Sequence, residues 1–351
     1  EALREKLGPK LAYLFPQGDA EVDREIIRCC GMLGVTDADL VSRAIRRLPS
    51  DAPLEEQIHY LMAISLMGGP RDATTTASTA KRLVGLHRTM RERGMVPSRN
   101  WPMRIGEMFS GLQQRDAKLA MAVVRDGDFG LAEHSLFVAG MKGDVQREGA
   151  RNLLKASHAA VSDEAWTVEL VRIIGMLAPG EGLPELRQQW SHAAVRDAVA
   201  IELARHAQVE DRGRLLESLE SIQSDVVVAA AKALQSQSSP KSPEDYLAVL
   251  AALRQACSAK ELARSRQQLI ALLEKWSGEK RTTGDPDPHG AKAYAPWFAW
   301  FRQAYPRLAK QLDAVAGEGI DWQTRLAQVD WTRGEARMGK QIFEKIGRAH
   351  V

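Results

Sequence analysis

Apolar residues recur along this chain at helical spacing almost without interruption, and the pattern is cut every dozen or so residues by Gly, Pro, Asp or Ser. No stretch of alternating β-branched residues offers a strand. That single regularity restricts the fold to an all-α one. The periodicity predicts helices over 20–33, 37–48, 54–67, 78–93, 144–156, 163–177, 193–206, 225–235, 243–257 and 259–276. Thr36, Ser162 and Ser242 stand where a side-chain oxygen would meet the unpaired N–H groups of a helix start. Aromatic residues make up only 6% of the 351, a proportion that suits helices better than a sandwich or barrel.

Three of the predicted helices share a pattern: DVQREGARNL from Asp144, AVRDAVAIEL from Ala194 and DVVVAAAKAL from Asp225. Each has Val second, a small or aliphatic pair sixth and seventh, and Leu tenth. Val145, Leu153, Val195, Leu203, Val226 and Leu234 would form an apolar stripe, while the small pair admits a close neighbour. A helix pair that buries its apolar face only by stacking on the next pair gives an α-solenoid. The segments resemble the second helix of HEAT-type repeats, unevenly spaced. The expected fold is therefore a HEAT-like α-solenoid over 1–278, a linker at 279–290, where EKRTTGDPDPHG breaks the periodicity, and an aromatic-rich helical segment over 291–331.

Charge does not point to a polyanion: 48 Lys and Arg against 45 Asp and Glu leave a net charge of +3. Arg43, Arg46 and Arg47, and Arg82, His87, Arg88, Arg91 and Arg93, form local basic groups that read as solvated helix faces. No nucleic-acid partner is expected, and no apolar run is long enough to span a bilayer. Cys29 and Cys30 are adjacent and Cys257 stands by itself, so no disulfide framework is read. The histidines are scattered without His-x-x-x-His spacing. Asp285, Asp287 and His289 alternate as in a Pro-stiffened turn rather than a metal loop. No catalytic residues and no metal ligands are assigned.

In YAPWFAWFRQAYPRL, Trp297, Phe301 and Tyr305 share a helical face and Trp300 is offset by three. Such a stripe reads first as core. Trp297 and Trp300, with Trp322 and Trp331 farther on, are the candidate interaction surface.

The segments YAPWFAWFRQAYPRLAKQLD, DWQTRLAQVDW and RGEARMGKQIFEK resemble the junction between helical repeats and a cytochrome domain in planctomycete-type multidomain c-type cytochrome proteins. EEQIHYLMAISLM, RNWPMRIGEMF and FGLAEHSLFVAG are similar to the repeat region of the same family. The resemblance implies that 332–345 is the first helix of a cytochrome domain, cut before its Cys-x-x-Cys-His haem motif. Gly339 and Phe343 would then pack near the haem of an intact domain. The six final residues, IGRAHV, are what ATC GGA AGA GCA CAC GTC encodes, a string matching a common sequencing adapter, so 346–351 are expected not to belong to the fold. This chain itself would carry no cofactor, while haem c is expected in the parent. The resemblance further implies an exported scaffold whose partners are proteins or other domains of its own chain. An intracellular HEAT-like interaction scaffold and a HEAT-like DNA glycosylase are the alternative functions.

Overall fold

The computed structural model describes residues 2–37, 39–49, 51–159, 166–237, 240, 242–282 and 291–317. Their regular structure is entirely helical. Two compact units divide the chain, Glu1–Gln237 and Ser238–Val351. The first holds α1 (Ala2–Leu14), α2 (Ala20–Leu33), α3 (Leu40–Arg47), α4 (Leu54–Leu66), α5 (Ala73–Glu92), α6 (Trp101–Arg115), α7 (Leu119–Val124), α8 (Ser135–Ala139), α9 (Gly143–Ala159), α10 (Val168–Ile174), α11 (Pro179–Gln188), α12 (Arg196–His206), α13 (Arg212–Glu217) and α14 (Ser224–Ser236). The second holds α15 (Pro243–Ala256), α16 (Ala263–Ser277), α17 (Ala291–Ala304) and α18 (Pro306–Gly317). Helices α15 and α16, read from sequence with the repeats, thus belong to the same unit as α17 and α18.

Local chemistry explains where the helices begin. Asp19 caps α2, accepting from the N–H groups of Glu21 and Val22 at 2.9 and 3.0 Å, and the helix matches its predicted span. Helix α5 starts five residues before the predicted Ser78. Asp72 caps it through Thr75 N–H at 2.6 Å, and the threonine run that reads as poorly helical is accommodated inside. Thr79 returns its hydroxyl to the Thr75 carbonyl at 2.8 Å, and Thr76 bonds Asp116 at 2.5 Å. At α10 the capping oxygen is Thr167, bonded to Leu170 N–H at 3.2 Å, whereas the expected cap Ser162 lies outside the described residues. The expected caps Thr36 and Ser242 make no such bond: α3 begins only after Asp39, and Ser242 precedes α15 without a capping hydrogen bond.

Within the first unit, helices pack chiefly on the helix two places along. Helix α2 meets α4, α4 meets α6, α6 meets α8, α8 meets α10, α10 meets α12 and α12 meets α14. A second series runs α3 to α5 to α7 to α9. The three similar segments are therefore not equivalent. Helices α12 and α14 belong to the first series, and α9 to the second. Leu153, Val195, Leu203, Val226 and Leu234 are buried as expected, but Val145, in the first turn of α9, is only partly covered.

Close approach sets the spacing. A Cβ on Gly31 of α2 would stand 2.8 Å from the Ala63 carbonyl oxygen of α4, inside any normal contact. Gly182 of α11 likewise lies close under the Ile174 carbonyl, and alanines serve farther on, with Ala198 and Ala200 buried on α12 and Ala230, Ala231 and Ala233 on α14. Arginines complete the turns. Arg43 donates to the carbonyls of Ala12 and Phe15 at the end of α1. Arg71 reaches those of Ile64 and Met67, which close α4, at 3.0 and 2.9 Å. Arg82 bonds Leu48 and Pro49 after α3. Each supplies charged donors to carbonyls that a helix end leaves without partners.

Aromatic packing closes the second unit. Trp297 and Phe301 are fully buried in α17, and Tyr246 of α15 meets Trp276 and Trp300 edge-on at 5.8 and 5.2 Å. Arg266, also fully buried, bonds the carbonyls of Ala256, which ends α15, and of Ala259 and Lys260 beyond it.

Val226 is 1% exposed on α14, so Val226→Asp places an unpaired charge in an apolar layer. Urea unfolding is expected to show a loss of about 3 kcal/mol or more; an unchanged midpoint would mean that this face is solvated.

Candidate functional site

The predicted surface residues take different places. Trp297 supplies interior, not surface: its indole N–H donates to Thr282 Oγ1 at 3.2 Å, and the Arg281 guanidinium lies over its ring at 5.9 Å. Trp300 is half-buried beneath the same guanidinium at 5.1 Å. Trp322, Trp331, Gly339, Phe343, the tail 346–351 and the Asp285–Asp287–His289 turn lie outside the described residues. Of the basic groups, Arg46, Arg47, Arg88, Arg91 and Arg93 are exposed, as expected of solvated helix faces, while Arg43 and Arg82 are half-buried and His87 is buried. Arg47 pairs with buried Asp23 at 3.2 Å, Arg88 with Asp128 at 2.7 Å, and Arg91 with Glu133 at 2.6 Å.

For covalent haem the cysteines present do not fit. Cys29 and Cys30 are neighbours on α2, and burial pushes the Cys30 thiol up to about 11. Cys257 follows α15, far along the sequence from both. None offers Cys-x-x-Cys-His.

Two histidines that look scattered in sequence meet in the interior. His87 of α5 and His134, just before α8, lie with ring centroids 5.9 Å apart, both essentially buried, among Trp101, Phe129 and Phe137. His87 Nε2 accepts from the Trp101 indole at 3.0 Å. His134 Nδ1 accepts from the N–H groups of Gly130 and Leu131 at 3.0 and 3.2 Å, so Nε2 carries the proton and donates to the Val84 carbonyl at 3.1 Å. A second proton on His134 would confront two donors. Burial holds both imidazoles down at about 4, and they stand neutral in the fold.

Glu202 of α12 is the other buried ionisable group of note. One oxygen takes an Arg205 hydrogen bond at 2.6 Å while Oε1 has no partner, and burial raises the pKa of the carboxyl above the ordinary carboxylate value. Gly175 makes room for it, because a Cβ there would strike the carboxylate.

One open feature of the first unit is a cleft of about 470 Å³ across the exposed face of α2, α4 and α6. Its lining is mainly apolar, and three methionines contribute to it: Met32, Met62 and Met108, with Leu66 and His59. Met32 and Met62 are 71% and 50% exposed, unusual for side chains of this type. Arg28 and Arg104 at its edge are each paired on their own helices, with Glu25 at 2.6 Å and Glu107 at 3.0 Å. His59 Nε2 donates to the Arg24 carbonyl at 3.0 Å, given a lone pair on Nδ1. Nothing in the sequence spacing joins residues 32, 62 and 108. They meet because α2, α4 and α6 pack in series.

No protein-family model, curated protein or solved structure matches this chain. Among the described residues no helix is long and apolar enough to cross a membrane, and no three His, Cys, Asp or Glu side chains are grouped to hold a metal ion.

The histidine pair makes stability depend on acid. Both folded values, about 4, lie below the ordinary histidine value of about 6.5. The unfolded chain therefore binds more protons between those limits, and stability falls as pH drops from about 6.5 to about 4. Each imidazole contributes roughly 3 kcal/mol to that fall at 1.36 kcal/mol per pH unit. Urea titrations across the window should show the loss, and His87→Gln, which keeps an acceptor for Trp101 but cannot titrate, should remove about half of it. An equal slope in the variant would exclude His87 as a source.

Proposed function

We propose that this chain is a non-catalytic helical-repeat scaffold, a HEAT-like α-solenoid that holds other domains or proteins in place within a c-type cytochrome system. The observation that carries the reading is the packing series α2–α4–α6–α8–α10–α12–α14, in which each helix rests on the one two places along. A globular bundle wraps many helices around one centre, whereas a stack extends by adding the same contact again. Two apolar clusters in succession agree with this: one runs from Ala12 to Met141, the other from Val138 to Leu203. Such an array presents one long face, suited to holding partners at fixed spacing.

The cytochrome setting rests on the resemblance of the segments ending in GKQIFEK. In that setting the array is a spacer in an exported electron-transfer protein, and the haem belongs to sequence following Lys345. Expressed with haem-maturation machinery, this chain should stay colourless, because it lacks thiols at the required spacing. A chain extended by its native continuation should show a Soret band that survives denaturation. An extended product without covalent haem would remove the cytochrome setting and leave an intracellular interaction scaffold as the better reading.

A further inference from the structure

We infer that the cleft across α2, α4 and α6 is a self-association surface, on which a second copy of this chain docks about a two-fold axis running along α4. Three of its apolar side chains stand in water: Met32, Met62 and Leu66 are 71%, 50% and 53% exposed. An apolar patch rimmed by charge is the mark of an interface, and methionine and arginine are side chains that interfaces favour. Arg28 and Arg104 stand at its two edges, each in an exposed ion pair with an acid of its own helix, Glu25 and Glu107. Helices of 14, 13 and 15 residues give a face about 21 Å long and about 28 Å wide. That is the small end for specific association, so the dimer should be a micromolar one.

The order of the two ion pairs identifies the occupant. Helices α2 and α4 run parallel, since Gly31 lies against Ala63 and Gly34 beside Leu66, in each case 32 residues on. Helices α4 and α6 run parallel as well. Gly111 lies against Ser65, 46 residues back, and Arg71, just beyond α4, has Arg115 and Asp116 at the end of α6 as charged neighbours. With offsets of 32 and 46, a residue of α2 stands level with the one 78 places later in α6. Glu25 is therefore level with position 103, beside Arg104, and Arg28 with position 106, beside Glu107. Along α2 the charges run negative then positive; at the same heights on α6 they run positive then negative. A two-fold axis along α4 lays α2 of one copy over α6 of the other in the same direction. Glu25 then meets the copy's Arg104, and Arg28 its Glu107, on both sides of a centre made by Met62 and Leu66. A face with opposite charges at equal height on its two edges complements itself, and no uniformly charged partner. The one like-charged contact this creates, Glu55 against its copy, lies two turns of α4 before Met62, where solvent screens it.

Sedimentation velocity on the full chain, under reducing conditions that keep half-buried Cys29 from cross-linking, reads the association directly. Between roughly 1 and 200 μM the chain should pass from monomer to dimer and stop there. Met62→Glu, on an exposed position, should keep the fold by circular dichroism and weaken the dimer at least tenfold. The charge order is tested by exchange. Glu25→Arg with Arg28→Glu preserves the ion pair within α2 and the net charge, but sets like charges against α6 of the copy, and should also weaken the dimer at least tenfold. Adding Arg104→Glu and Glu107→Arg reverses α6 too, and should restore the affinity to within a few-fold. A chain that stays monomeric to the highest concentration would overturn the dimer and leave the cleft to a different protein. Full affinity in the folded Met62→Glu chain or in the α2 exchange, or no recovery in the folded fourfold variant, would overturn it equally.

Discussion

The distance between neighbouring helices governs this structure. At Gly31 the backbone of α2 passes so near Ala63 of α4 that no side chain fits between them. The same economy of bulk recurs at Gly111 against Ser65, at Gly149 against Val138, and in the buried alanines of α12 and α14. Helices this close exchange many weak dispersion contacts and leave few voids. They also leave the turns between them little room, and the carbonyls at helix ends must find donors nearby. Arg43, Arg71 and Arg82 supply these, so the charged side chains serve the same packing that the small residues permit.

A consequence is where the polar and sulfur-bearing groups end up. Helices separated in sequence by a whole intervening helix become neighbours, which brings residues 32, 62 and 108 into one cleft, while His87 of α5 and His134, just before α8, meet across two intervening helices. Neither grouping is a motif, because a motif requires fixed spacing along the chain and these depend on stacking. Buried Glu202, beneath Gly175, shows the other side of close approach: a carboxylate is tolerated where a glycine vacates the space, at the cost of an oxygen without a partner.

Much of the helical content was legible in the sequence, since periodicity survives any tertiary arrangement. Helix α2 matches its expected span, and Leu203, Val226 and Leu234 are buried where the pattern puts them. The errors have physical causes. Threonines 74 to 76 weaken helix propensity, yet Asp72 caps the turn and buried hydroxyls find acceptors, so α5 begins early. The shared pattern of the segments from Asp144, Ala194 and Asp225 records only that each helix has one apolar stripe and one close neighbour; it does not record in which series the helix packs. The methionine cleft was invisible for a further reason. Methionine counts as core in a pattern of apolar residues, and only exposure distinguishes a thioether that faces solvent.

Stacking of helices at close approach is tested most directly by native-state hydrogen exchange on the full chain and on Gly31→Ala. The added Cβ would meet the Ala63 carbonyl at 2.8 Å and force α2 and α4 apart, an overpacking cost of roughly 1–3 kcal/mol. If each helix depends chiefly on its neighbours in the series, amides of α2 and α4 lose protection by a factor of about ten or more while those of α12 and α14 keep theirs. A uniform loss of protection from α1 to α14 would show a single cooperative core, and contradict a stacked array.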